Sequence, residues 1–217
     1  MTDRFDGFPE QAFEFYRALA ANNTKPWWND HRGDYDQYVK APFIALTTEL
    51  EPTFGAAKLF RPYNDTRFHK GEPLKTQQGA SVMLEDGVGL YVQVSADGLM
   101  TAGGWYAPGG EQMRRYREAV DGPAGAELER LMTVLPKKFT VDGNQLVTKP
   151  KGVDADHPRL DLLRNRRLTV ARNYSVEPWV STRKALSVIR KDWNTILPLL
   201  EWLADHVGPA EDPGNQG

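Results

Sequence analysis

The stretch from residue 80 to residue 105 limits the fold of this chain more than any other. In ASVMLEDGVGLYVQVSADGLMTAGGW, short runs of apolar or alternating residues are separated by EDG (residues 85–87) and ADG (residues 96–98). Asp-Gly pairs are typical of tight hairpin turns, and the runs between them have the length of ordinary strands. We therefore predict an antiparallel β-meander over residues 80–105, with no helix in residues 88–94.

Helical patterns lie before the meander. Apolar residues recur at helical spacing from Pro9 to Leu19, and again from KPWWNDH (residues 25–31) onward. A proline inside a helix removes a hydrogen-bond donor and clashes with the preceding turn, so we expect a kink or a restart at Pro42. Two helices are thus predicted in the N-terminal region.

The C-terminal half mixes helices with one strand. Helical spacing is found in residues 113–120 and 123–135, whereas residues 136–158 are expected to be mostly loop. RLTVARNY (residues 167–174) is typical of a strand, and residues 186–207 predict a kinked helix that contains Pro198. The predicted fold class is α+β, an antiparallel sheet with N-terminal and C-terminal helices packed on it. We expect one domain over residues 1–208 and a disordered tail at residues 209–217.

Composition excludes several classes of function. The 217 residues carry a formal net charge of −2, so a broad basic face for polyanions is not expected, and nucleic acid is disfavoured as a partner. The sequence has no cysteine, which excludes disulfides, thiol catalysis and thiolate zinc sites. No window is apolar enough for a membrane helix. We expect a cytoplasmic protein without a membrane partner.

Basic residues are concentrated between residues 58 and 75. Five lysines and arginines stand there against two acids, a local charge of +3. Guanidinium groups bind phosphate or carboxylate in a bidentate manner, and lysine adds a mobile charge. The sequence predicts an anion-binding loop made of Arg61, Asp65, Arg67, Lys70, Lys75 and Thr76. In this prediction Asp65 orients Arg67, and the charged ends of Arg67 and Lys75 converge. The alternative is a solvated loop with a structural ion pair.

Asp156 and His157 form a second, weaker candidate in KPKGVDADHPRLDLL (residues 149–163). A histidine beside a carboxylate can act as a general base. Asp-His-Pro before a helical turn equally suits a capping loop. The other histidines have no ligand spacing with His157, so no metal site is predicted. Aromatic residues are numerous, but they are more often core than binding surface, and the common nucleotide-binding and hydrolase strings are absent from the sequence.

The chain resembles the domain of unknown function 2461 family. The resemblance runs over nearly the whole sequence and includes FDGFPEQAFEFYRALAANNTKPWW, FRPYNDTRFHKGEPLKT, GLYVQVSADGLMTAGGWYAP and LPLLEWL. It places Asp65, Arg67, Phe68, Lys70, Pro73, Lys75 and Thr76 on positions of the family's central motif. At Asn64, Gly71, Glu72 and Leu74 this sequence departs from that motif. The resemblance implies the fold and the choice of segment, and it implies no reaction or cofactor.

Two functional hypotheses follow from these residues. The first is a site for a phosphate-type or nucleotide-type anion in the loop of residues 61–76, with Asp156 and His157 brought near it. The second is a non-catalytic interaction module that presents the basic loop and exposed aromatics to an acidic protein. A concave pocket would favour the first, and a flat aromatic surface the second. The sequence assigns neither an enzymatic activity nor an oligomeric state.

Overall fold

The computed structural model describes residues 4–65, 71–85 and 87–209. Within these ranges the chain forms eight α-helices, one π-helical segment (Tyr35–Lys40) and one 3₁₀ turn (Pro178–Ser181). The α-helices are α1 (Glu10–Ala21), α2 (Lys25–Asp30), α3 (Arg32–Asp34), α4 (Ala41–Phe54), α5 (Gly110–Asp121), α6 (Ala124–Val134), α7 (Leu160–Leu163) and α8 (Lys184–His206). The strands are β1 (Lys58–Leu59), β2 (Gln77–Glu85), β3 (Val88–Ser95), β4 (Gly98–Trp105), β5 (Thr140–Asp142) and β6 (Leu168–Tyr174).

The strands form one antiparallel sheet in the order β1-β2-β3-β4-β6-β5. The predicted meander is confirmed, because β2, β3 and β4 follow one another in the sheet and occupy residues 77–105. Gly87, in the first turn, has φ +79°, and Gly98, at the second, has φ +132°. Side chains disfavour both angles, which explains the glycines in the two turn strings. The α+β class predicted from the sequence is therefore correct.

The N-terminal helices begin and end as the sequence indicates, with one addition. Pro9 caps α1, the Thr24 hydroxyl accepts a hydrogen bond from the Trp27 amide at the start of α2, and Pro42 lies in the first turn of α4. The restart at Pro42 is confirmed. The π-helical segment directly before it was not predicted. Such segments are rare and frequently occur at functional sites.

The C-terminal half also agrees with its pattern, apart from β5. Helices α5, α6 and α8 and strand β6 lie where the periodicity places them, and α8 contains Pro198. Strand β5 falls in the segment predicted to be mostly loop, and it pairs with β6 through Thr140↔Ala171 and Val141↔Val170. Its three residues are too few for periodicity to reveal.

Contacts divide the chain into two compact units. The first unit comprises Met1–Val82, Tyr91–Thr101 and Asn173–Lys191, and the second comprises Met83–Leu90, Ala102–Arg172 and Asp192–Gly217. In the first unit Phe8 packs on Phe43, with ring centroids 5.0 Å apart. In the second unit Trp105 packs on Tyr116 at 5.5 Å. The single domain over residues 1–208 stays a prediction, and the predicted tail falls almost wholly outside the described residues.

None of the helices in the described ranges is long and apolar enough to cross a membrane. The cytoplasmic location stays a prediction.

Candidate functional site

The described parts of the basic loop are two arms, residues 61–65 and 71–76. These arms continue the pairing of β1 with β2. The Lys75 amide donates to the Pro62 carbonyl at 2.8 Å, and the Asn64 amide donates to the Pro73 carbonyl at 3.0 Å. These hydrogen bonds extend the antiparallel ladder beyond the residues of the two strands. The backbone on both sides of residues 66–70 is thus held in a defined register.

A side chain from the helical region fixes one arm. Asn23 accepts a hydrogen bond from the Leu74 amide at 3.1 Å and donates to the Leu74 carbonyl at 2.9 Å. Asn64 donates to the same carbonyl at 3.1 Å. Leu74 itself is buried. Because its polar groups are satisfied and its side chain is packed, this arm is rigid where it meets the N-terminal helices.

An open cavity of about 250 Å³ lies between the other arm and the helices. Residues 59–63 form one wall, and residues of α2, α3 and the π-helical segment form the other. Aromatic and charged side chains dominate the lining, and they are Trp28, Arg32, Tyr35, Asp36, Lys40, Phe60, Arg61 and Tyr63. All of them belong to the first unit. Small-molecule sites combine apolar walls with a few polar groups, and this cavity combines aromatic rings with charged groups.

Arg61 is the predicted site residue that reaches this cavity directly. Its side chain is exposed, and within residues 4–65, 71–85 and 87–209 its guanidinium group has no ion pair. Lys75 lies beside it, because the Lys75 ammonium donates to the Arg61 carbonyl at 3.1 Å and lies 5.6 Å from the centroid of the Phe60 ring. A cation over a ring face is attracted to it. Arg61 therefore brings one positive charge to this wall, and the Lys75 ammonium places a second one beside the backbone of Arg61.

The opposite wall supplies two further cations and one carboxylate. Asp36 lies 3.7 Å from Arg32 Nε and 3.7 Å from Lys40 Nζ. All three side chains are well exposed, and exposed ion pairs at this distance contribute little to stability. Arg32 and Lys40 can thus leave Asp36 and bind another anion with little loss of stability.

A hydrogen-bonded chain of buried residues supports the cavity. The Tyr35 hydroxyl donates to Gln78 Oε1 at 2.6 Å, and Gln78 Nε2 donates to the Phe60 and Gly79 carbonyls, both at 2.8 Å. Burial raises the pKa of Tyr35 to about 12, with the nearby Asp36 charge as a smaller cause. Tyr35 is therefore a neutral donor at physiological pH. The chain links the π-helical segment to the arm that carries Arg61.

The remaining residues of the predicted loop site have different outcomes. The Thr76 hydroxyl contacts Gln77 Oε1 at 3.5 Å, which is long for a hydrogen bond, and Asp65 is exposed. Arg67 and Lys70 lie outside the described residues, as does the predicted pairing of Arg67 with Asp65. The convergence of Arg67 with Lys75 likewise stays a prediction.

His157 and Asp156 belong to the second unit. His157 Nδ1 accepts a hydrogen bond from the Arg159 amide at 3.0 Å, and His157 Nε2 lies 3.0 Å from Asp121 Oδ1. Both ring nitrogens are thus engaged, whereas a general base needs one nitrogen free for substrate. Asp156 is exposed. This geometry favours a structural role for His157, and the catalytic role of both residues stays a prediction.

Sequence reasoning missed the helical wall of the cavity. Arg32, Asp36 and Lys40 recur every four residues, the spacing that places side chains on one face of a helix. Tyr63 was likewise not predicted as a site residue. That spacing is the signal that could have identified a charged face, although it does not indicate what the face lies against.

The fold and the cavity define an α+β protein with an aromatic, positively charged pocket. Residues 11–202 match the model of the family described as conserved hypothetical protein (DUF2461), and the chain belongs to this family. The resemblance read from the sequence is thus confirmed. No curated protein matches the chain.

Proposed function

We propose that the cavity in the first unit binds a small anionic molecule of the phosphate or nucleotide type. Arg61 and Lys75 supply positive charge from the loop arm, and Arg32 and Lys40 supply it from the helical wall. Arg67 and Lys70 stay predicted members of the same site. The proposal concerns binding, and no chemical step is part of it.

The observation that carries the proposal is the state of Arg61. A guanidinium group offers five N–H donors, and Arg61 uses none of them for an ion pair within the described part of the chain while it lines a cavity. The two other cations of the lining share one carboxylate at 3.7 Å. The side chains of Arg61, Arg32 and Lys40 could therefore donate hydrogen bonds to a bound oxyanion without breaking strong ion pairs.

The shape of the site supports this proposal over the interaction-module hypothesis. The basic arm borders a concavity of about 250 Å³ rather than a flat surface. Small-molecule sites are concave, whereas protein-binding patches of the alternative kind are flatter and larger.

Isothermal titration calorimetry with inorganic phosphate at low ionic strength tests the proposal. We expect Arg61→Gln to weaken binding about tenfold, because a charge-assisted hydrogen bond is lost. Lys58→Gln is the matched control. Lys58 is an exposed cation three residues away, and its replacement should change binding little.

Added salt should weaken binding to the wild-type protein, since exposed charges are screened. Absence of phosphate binding in the wild type, or equal losses in the Arg61 and Lys58 variants, would reject the proposal.

A further inference from the structure

Tyr63 is the cavity ring best placed to meet a ligand. It is 41% exposed, and its ring meets the Trp28 ring edge-on, with centroids 5.7 Å apart. Phe60 differs, because the Lys75 ammonium lies over it and the Tyr91 ring stacks near it at 5.8 Å. Tyr63 therefore offers ring surface to the cavity, whereas Phe60 is already packed.

The Tyr63 hydroxyl accepts a hydrogen bond from Trp28. Trp28 Nε1 lies 3.1 Å from this oxygen, and an indole nitrogen can only donate a hydrogen bond. The Tyr63 oxygen is thus the acceptor, and its own hydrogen is not used in this hydrogen bond. Trp28 is buried, so this hydrogen bond also fixes the position of the Tyr63 ring.

The volume of the cavity is larger than a bare oxyanion requires. A single water molecule needs only about 10–15 Å³ of such space, whereas the cavity offers about 250 Å³. An inorganic phosphate bound at Arg61 would leave most of that space to water. A planar group attached to the anion would fill it and contact Tyr63.

We infer that the site selects an anion carried on a planar ring, which packs against Tyr63 while its charged group binds Arg61. Aryl phosphates and nucleoside monophosphates belong to this class. The inference rests on the proposed anion site, and it adds Tyr63 as the residue that determines specificity. Stacking of a ring on an aromatic side chain is insensitive to the identity of the ring, because every planar ring has a π-face.

A pair of probes tests this inference on the wild-type protein. Methyl phosphate and phenyl phosphate carry the same charged group and differ in the ring. We expect phenyl phosphate to bind about tenfold more tightly, within the range measured for stacking on aromatic side chains. Calorimetry at one low ionic strength measures both affinities.

Two variants then test whether the Tyr63 ring causes the preference for phenyl phosphate. Tyr63→Ala should abolish the preference, so that phenyl phosphate and methyl phosphate bind with similar affinity. Tyr63→Phe keeps the ring and should retain the preference. A thermal melt of each variant checks that it is folded.

The outcomes separate the inference from the proposed function. Equal affinities for the two probes in the wild type would overturn the inference while the anion site stands. The same holds if the preference survives in a folded Tyr63→Ala protein. Binding of neither probe would overturn both.

Discussion

Two basic segments of this chain carry the same local charge and use it differently. Residues 58–75 have five basic residues against two acids, and residues 159–167 have four arginines against one aspartate, so each segment is +3. In the second segment Arg166 donates from Nε to the Asn144 carbonyl at 2.8 Å, and Arg164 donates to the Leu146 carbonyl at 2.8 Å. In the first, Arg61 has no ion pair within the residues that the structure describes.

Charge density alone therefore does not identify a binding site. Arg159, Arg164 and Arg166 donate to backbone carbonyls of the second unit, and Arg167 donates to the Asp142 carboxylate. Arg61 lines a cavity, and its guanidinium group forms no ion pair with any residue in the described part of the chain. The proposed anion site therefore rests on the state of Arg61 and not on charge density alone.

The largest expected effect on stability is that of Arg159→Met in the second unit. Arg159 is only 17% exposed at its side chain, and it donates to the Val120 carbonyl at 3.0 Å and the Gly122 carbonyl at 3.4 Å. Losing these charge-assisted bonds should lower the free energy of unfolding by about 2 kcal/mol, measured by urea denaturation.

Arg61→Met is the control for this comparison. It should change the free energy of unfolding by less than about 0.5 kcal/mol, as is usual for exposed positions. Similar losses in the two variants would show that Arg61 is a structural residue, and the contrast between the segments would disappear.

Tyr35→Phe should cost about 1 kcal/mol at neutral pH, because Gln78 loses a buried donor. Burial raises the pKa of Tyr35 to about 12 from its ordinary value of 10.0, so the folded state holds this proton more tightly. Its contribution to stability is complete below pH 10.0 and is lost as the pH rises through about 12.

Thermal melts at increasing alkaline pH measure this loss. The melting temperature should fall less with rising pH in Tyr35→Phe than in the wild type. Tyr116→Phe is the counterpart in the second unit, where burial also raises the pKa of Tyr116 to about 12. If Tyr35→Phe and the wild type lose stability in parallel above pH 10.0, the Tyr35 hydroxyl does not cause the alkaline loss of stability.

Asp142→Asn should have a smaller effect in the arginine-rich region. The Arg167 guanidinium, and then the Asn144 amide, lower the pKa of Asp142 below its ordinary value of 3.8. This contribution is complete above that value and is lost as the pH falls below it. Because the pair is half-exposed, we expect Asp142→Asn to lower the free energy of unfolding by about 0.5 kcal/mol. Urea denaturation at neutral pH measures this change.

Asp161→Asn is the matched control, since the Asp161 side chain is 90% exposed and lies 3.8 Å from Arg164. It should leave both stability and its acid dependence unchanged. Equal effects of the two substitutions would mean that the Arg167 contact stabilises nothing.

Of these substitutions, Asp36→Asn should lower the free energy of unfolding least. Unlike Arg61→Gln, it should strengthen the binding of phosphate. Its two exposed ion pairs contribute less than about 0.5 kcal/mol each. Removing the carboxylate frees Arg32 and Lys40, so phosphate should bind about fivefold more tightly at low salt, the value of one charge interaction near 4 Å in water. Calorimetry measures the change.

Asp34→Asn removes an exposed carboxylate from the neighbouring helix and should alter phosphate affinity less. Weaker binding in Asp36→Asn would contradict the role of Arg32 and Lys40 as ligand-binding groups.

Much of the fold could be predicted because it is specified locally. The meander follows from alternation and Asp-Gly turns, and α1, α5, α6 and α8 follow from helical periodicity. Strand β5 and the π-helical segment could not be predicted in this way. A strand of three residues has no measurable period, and a π-helix differs from an α-helix in its hydrogen bonds rather than in its pattern of apolar residues.

The candidate site could be predicted only in part. The sequence located Arg61 and Lys75, because charge concentration is visible in any window of residues. Arg32, Lys40 and Tyr63 were missed as members, since their role depends on helices and loop arm meeting around one cavity.

The α+β class, the meander and the positions of the two +3 segments can be read from the sequence alone, because each depends on neighbours along the chain. Which of these charges has an internal partner depends on the tertiary structure. Arg159 finds the Val120 carbonyl 39 residues away, and a hydrogen bond forms only where folding brings donor and acceptor within about 3 Å. Two segments of equal charge therefore differ in the partners that the fold gives to their guanidinium groups within the described residues.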